Sequence, residues 1–133
     1  MAHARGTFDV QLVPQAPDAE AEATPPDRLT IDKQFHGDLE GTSHGQMLAA
    51  STAVNGSAGY VAIECVRGSL HGRTGSFVLQ HSGTLERGTP HLSVTVVPDS
   101  GTGELAGLAG GMEIIIAEGK HSYVFDYTLA AGR

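Results

Sequence analysis

Between Gly59 and Leu85 the chain runs GYVAIECVRGSL, HGR and TGSFVLQHSGTL, two long alternating segments joined by a tight turn. A period of two sustained over this length demands extended strands, because successive side chains then point to opposite faces. A two-residue turn at His71-Gly72 pairs Leu70 with Arg73, and hence Val66 with Phe77 and Glu64 with Leu79. His81 then falls opposite Ala62, diagonal to Glu64 and within side-chain reach. One face of the hairpin thus carries a carboxylate and an imidazole among Val66, Phe77 and Leu79. The assignment depends on turn length, since an odd loop would put Gln80 on that face instead.

The rest of the chain extends the same pattern. Gly6–Pro14 alternates Phe8, Val10 and Leu12 with Thr7, Asp9 and Gln11, and predicts strand one. Residues 15–27 (QAPDAEAEATPPD) are rich in Pro, Ala and acids and predict a flexible loop. Strand two is predicted over Arg28–Glu40, where Leu29, Ile31, Lys33 and Phe35 alternate with Thr30, Asp32, Gln34 and His36. Strand three, Thr42–Ala53, has the weaker pattern, because QMLAASTA also suits the start of a helix. Asn55-Gly56 is a strong hairpin signal, since both turn positions need positive φ. Carrying the ladder through it adds Met47, Ala49 and Tyr60 to the face of Glu64.

Strand six is predicted at His91–Pro98, then a glycine-rich connection at Asp99–Gly111 with one helical turn at Glu104–Leu108. Strands seven, Met112–Glu118, and eight, Lys120–Leu129, meet across Glu118-Gly119. Eight strands with short turns and no sustained helical period predict an all-β fold, an eight-stranded antiparallel barrel. A barrel of that size encloses side chains or one small ligand in a central cavity. On the opposite wall, Leu48, Val61, Ile63 and Val78 interrupt a polar face and predict a homodimer contact.

Composition narrows the class of function. The 133 residues fit one domain, 1–133, of sufficient size for a core without metal or disulfide staples. The net charge of −7 excludes a module that grips a nucleic-acid backbone with a basic stripe. The single cysteine, Cys65, excludes an internal disulfide and fits a reducing compartment. Lying in an apolar strand, it is expected to be a small buried hydrophobe. The start, MAHARGTFDV, lacks a secretory signal's apolar stretch, and no run approaches the roughly 20 apolar residues of a membrane helix. A cytoplasmic protein with no membrane partner is expected.

The phrases RGTFDV, KQFHGDLEG, YVAIE, GRTGSFVLQHSG, VVPDSGTGELAGL and GKHSYVFDYTL occur in this order over nearly the whole chain. In them the chain resembles a bacterial family of unknown function whose members are similar to allene oxide cyclase in having a small closed barrel. The resemblance implies an eight-stranded barrel of the allene-oxide-cyclase-like type with a central cavity. It does not imply the cyclase reaction, because a shared fold does not carry an activity. Many members have a tryptophan soon after strand one; this chain has none and carries the Pro14–Pro26 segment instead.

Glu64 is the first candidate for chemistry. A carboxyl in an apolar lining has its charged form disfavoured, which raises its pKa toward a useful general acid or base range. A structural carboxylate, satisfied by a backbone amide, His81 or Arg73, is the plainer alternative. His81 is the second candidate, as orienting partner, proton sharer or ligand contact. Tyr60, Phe77, Leu79, Tyr123 and Tyr127 are the candidate ligand contacts of the lumen.

Other motifs carry less. GTSHG at Gly41–Gly45 fits the hydrolase pattern G-x-S-x-G, which works only on a strand-to-helix turn of a large α/β sheet. SGTGELAGLAGG lacks the G-K-[ST] ending of a phosphate loop. The seven histidines show no H-x-H, H-x-x-x-H or H-E-x-x-H spacing, so no metal and no cofactor is expected. Asn55-Gly56-Ser57 is a turn rather than a glycosylation site in a cytoplasmic chain. Three functions follow: a barrel that binds a small, mostly apolar molecule in its lumen, a cofactor-independent isomerase or cyclase using Glu64 as general acid or base with His81, or a stability or assembly role with a filled interior.

Overall fold

The computed structural model describes residues 1–15 and 27–129. Eight strands follow one another around a closed barrel: β1 Ala2–Pro14, β2 Asp27–Gly37, β3 Leu39–Ser51, β4 Ala58–Leu70, β5 Arg73–Glu86, β6 Thr89–Val96, β7 Ala109–Ala117 and β8 Lys120–Thr128. Every neighbouring pair is antiparallel, and β1 closes on β8. Apart from its ends, Gln15 and Asp27, the loop expected at 15–27 lies outside the described residues.

Turn chemistry sets the registers. His71-Gly72, Arg87-Gly88 and Glu118-Gly119 have positive φ at both positions, the geometry whose twist matches paired strands. The β4–β5 ladder is the one the sequence predicts, with Leu70 opposite Arg73, Glu64 opposite Leu79 and Ala62 opposite His81. At Asn55-Gly56 the strands part earlier, at Ser51 and Ala58, so Met47 faces Ala62 and Ala49 faces Tyr60. A wider loop moves the register without reversing the faces, because the shift is even. The β2–β3 turn falls at Asp38 rather than near Gly41, and QMLAAS continues as strand. β1 begins at Ala2, four residues earlier than its pattern announces, because Ala2, Ala4 and Gly6 pair with Tyr127, Phe125 and Tyr123 of β8.

The weak seam lies between β6 and β7, joined in register only at Thr95 and Gly111. β6 covers β5 only from Leu79 onward, leaving the edge of Arg73–Val78 open. The glycine-rich connection fills that edge: Val97 N donates to Val78 O at 2.9 Å and Thr102 N to Ser76 O at 2.8 Å. Gly75 permits the approach, since a Cβ there would sit 2.1 Å from Thr102 O. A short 3-10 turn, Gly103–Leu105, then turns Leu105 into the core. Covering an open strand edge in this way removes a template for aggregation.

Inward positions are mostly apolar, and the outer wall carries Asp9, Gln11, Asp32, Gln34, Arg67 and Gln80 beside a few exposed aliphatic residues. This is the inverse of a lipid-embedded barrel, whose outer band is apolar. Among the described residues no helix is long and apolar enough to cross a membrane. The outer row Leu48, Val61 and Ile63 is exposed, as its parity requires. Cys65 shares that parity and is also exposed, which corrects its expected burial: the strand is apolar on both faces, and only the ladder distinguishes them.

Candidate functional site

The two ends of the lumen differ. Toward the β2–β3 and β4–β5 turns it is filled by Phe35, Leu39, Leu70, Phe77, Leu105 and Phe125. Toward the opposite end it opens into a cavity of about 500 Å³, within the range of ligand pockets. Val10, Ile31, Met47, Ala49, Leu92 and Ile114 supply its largely apolar wall. The lip carries Leu12, Leu85, Leu92 and Ile116, all exposed. Small residues make the space: Ala49, Ala58 and Gly83 occupy inward rows that carry bulkier side chains deeper down.

A buried polar cluster lies at the base of this cavity. Glu64 is wholly buried and accepts from three side chains on three other strands. Its Oε1 takes Lys33 Nζ of β2 at 3.0 Å and His81 Nε2 of β5 at 2.6 Å; its Oε2 takes Ser43 Oγ of β3 at 2.5 Å. Gly45 stands directly opposite Glu64, and a Cβ there would fall 2.6 Å from Glu64 Cα. The bare β3 backbone at that point leaves room for the lysine to reach across from β2. Lys33 Nζ also sits 4.8 Å from the centroid of Phe8 and 5.7 Å from that of Phe35, favourable cation–π placements.

The electrostatics reverse one sequence expectation. Burial alone pushes the Glu64 pKa up, but the His81 hydrogen bond, the Lys33 charge and the Ser43 hydroxyl outweigh it and hold the group at about 2. Glu64 is therefore a permanent carboxylate, not an acid poised near neutrality. A carboxylate only accepts, so His81 Nε2 carries the proton of this hydrogen bond, and the ring's other nitrogen, Nδ1, is turned away from Glu64. The partner of Nδ1 is the Tyr60 hydroxyl at 3.4 Å. Burial, and then the charge of Glu64, raise the Tyr60 pKa, so the phenol stays protonated and donates. Its ring has its place because Gly83 lies opposite: a Cβ there would come within 2.4 Å of Tyr60 Cε1.

Of the residues singled out from sequence, Tyr60 and His81 line the cavity and Glu64 lies behind His81. Phe77, Leu79, Tyr123 and Tyr127 are not on its wall. Inward positions on one strand lie about 6–7 Å apart, so each pair beyond His81 sits a layer deeper. Phe77 stacks on Phe125 at 5.8 Å, and Leu79 is fully buried. The Tyr123 hydroxyl accepts from Leu39 N at 2.9 Å and donates to His36 O at 2.9 Å, sealing the packed end. The Tyr127 hydroxyl meets His71 Nδ1 at 2.5 Å, at the far turn.

Sequence reasoning missed Lys33 and Ser43 as members of the site. Lys33 was visible as the one charge in the inward series Leu29, Ile31, Phe35. Ser43 shares the inward parity of Met47 and Ala49, and the β2–β3 turn at Asp38 is what places it opposite Lys33. Among the described residues no three metal-ligating side chains cluster.

A family model described as "Protein of unknown function (DUF3224)" matches residues 4–127. Among solved structures, the chain is similar to a protein of unknown function from the DUF3224 family of Shewanella oneidensis MR-1. The two are 49% identical over 99% of each chain, with a TM-score of 0.92. No curated protein matches the chain.

Proposed function

We propose that this chain, which belongs to the DUF3224 family, is a binding barrel that holds a small, mostly apolar molecule in its open end. The observation that carries the reading is the cavity of about 500 Å³ with an aliphatic wall and with Lys33, Tyr60 and His81 at its base. Burying about 200 Å² of ligand carbon there would contribute about 5 kcal/mol. A hydrogen bond to a charged group adds about 1.5–3 kcal/mol. The wall therefore sets affinity and the base sets orientation. The resemblance read from the sequence to barrels like allene oxide cyclase would concern form alone, and no cyclase reaction is proposed from it.

The exposed row Leu48, Val61 and Ile63 is the face by which two copies would pair. Sedimentation of the double variant Val61→Asp/Ile63→Asp as a monomer beside a wild-type dimer would bear this out; a monomeric wild type would refute it. The unpaired Cys65 suits a reducing compartment such as the cytoplasm.

Mass spectrometry of molecules released from natively purified protein tests the binding reading. An apolar species near one per chain is expected, and Ala49→Trp, which fills the cavity from its wall, should abolish it. Wild type free of any such molecule, or a tryptophan variant that retains it, would contradict the reading.

A further inference from the structure

The cluster beneath the cavity holds more than a ligand anchor needs. Glu64 spends its acceptors on Lys33, Ser43 and His81 Nε2, leaving it no free role toward the cavity. The opposite nitrogen of the imidazole, Nδ1, has only the Tyr60 hydroxyl, at a long 3.4 Å, and both residues line the cavity. A carboxylate that fixes the tautomer of an imidazole, whose other nitrogen has one long hydrogen bond beside an apolar pocket, is the arrangement of a general base. Lys33, also on the cavity wall, gives one of its three N–H groups to Glu64. Its remaining donors are available to an oxygen that gains negative charge, in a dry site where such stabilisation is strong.

Resting on the binding reading above, we propose that the cavity moves a proton on an apolar ketone, with His81 Nδ1 as base and Lys33 Nζ stabilising the enolate. The carbon–hydrogen bond next to the carbonyl breaks and the proton passes to Nδ1. Its electron pair forms the carbon–carbon double bond of the enolate, and the charge moves to the oxygen beside Lys33. The imidazolium then either trades that proton with solvent and delivers solvent hydrogen to the same carbon, giving exchange, or returns the proton to a conjugated carbon, giving an isomer. No oxidant, reductant or second substrate is needed. His81 and Lys33 are the groups that touch the substrate, and Glu64 is a positioning residue.

The test uses β-tetralone, an apolar bicyclic ketone with acidic α-hydrogens, in heavy water. Proton NMR follows loss of the α-hydrogen signals, and a titration of the protein's methyl signals reads binding separately. The wild type should accelerate exchange at least about 100-fold over buffer. His81→Gln keeps a donor for Glu64 but has no base, and should lose that acceleration while binding stays within a few-fold. Lys33→Met should slow exchange at least about ten-fold. Cys65→Ser, on the outer wall, should leave it unchanged. For Glu64→Gln the readout is nitrogen NMR of the imidazole: the proton should no longer be confined to Nε2, with exchange reduced alongside. Should that variant fail to fold, His81→Gln and Lys33→Met still decide the matter. A probe that binds without exchanging, or exchange that survives in His81→Gln, overturns the proton transfer and leaves the binding reading intact. A probe that does not bind at all overturns both.

Discussion

The same strands line both ends of the lumen, yet the interior is filled by large side chains toward one end and hollow toward the other. On β5, Phe77 and Leu79 fill the packed end, while Gly83 stands at the cavity. On β4, Val66 and Leu70 lie deep, whereas Ala58 and Gly59 lie at the mouth. On β8, Phe125 lies deep and His121 near the lip. The boundary between the halves is the layer of Lys33, Ser43, Glu64 and His81. Bulk placed below that layer gives stability, and bulk withheld above it gives room. Stability and the proposed binding therefore fall in separate halves and should respond to separate substitutions.

The sharpest way to break that division is to cut into each half in turn. Phe77→Ala should cost about 3–5 kcal/mol in urea unfolding, because its site is sealed on all sides. Met47→Ala, whose side chain already borders open space, should cost less than about 1.5 kcal/mol. Equal costs would mean that the hollow end is packed in solution.

The boundary layer itself comes next. Glu64→Leu leaves Lys33 buried without its counter-charge and should destabilise by about 3 kcal/mol or more. Replacing both charges together, as Lys33→Met/Glu64→Leu, should recover most of that loss, because the desolvation of each ion is removed with its partner. A double variant as unstable as the single one would show that the carboxylate's ties to His81 and Ser43 dominate instead.

Acid should act through the same carboxylate. Its pKa is depressed from an ordinary 4.5 to about 2, so the stabilisation it gives is complete above pH 4.5 and lost as pH falls toward 2. A difference of that size corresponds to about 3 kcal/mol. Unfolding free energies measured across this window should fall with pH in the wild type, and the fall should be about that much smaller in Glu64→Gln. Parallel curves would contradict the charge assignment.

Smaller effects are expected at the cavity wall. Gly83→Ala should push the Tyr60 ring from its seat, weakening ligand binding several-fold for a stability cost of about 1 kcal/mol. Outside the barrel, Cys65→Ser should change stability by less than about 0.5 kcal/mol.

Much of this division is written in local pattern. The β4–β5 register follows from one turn, since His71-Gly72 can close a hairpin only with its twist, and that register alone joins Glu64 to His81. The depth of each inward residue was not legible from parity, which says which face a side chain takes but not how far along the lumen it lies. Tyr123 and Tyr127 therefore read as contacts of one lumen, although both lie away from the open cavity, with their hydroxyls on Leu39 and His71. The charge of Glu64 was misjudged for a related reason. Its ionised state depends on Lys33 and Ser43, on strands whose register needed the turn at Asp38 to be placed correctly. Cys65 was legible and misread, since the ladder that turns Glu64 inward turns its neighbour out.

The most direct test of the hollow-and-packed division is methyl NMR of the protein titrated with β-tetralone. Signals from Ile31, Met47, Leu92 and Ile114 should shift and saturate together, while those of Leu39, Leu70, Leu105 and Leu108 stay in place. Shifts spread evenly over both groups, or confined to the second, would contradict a binding cavity at the open end.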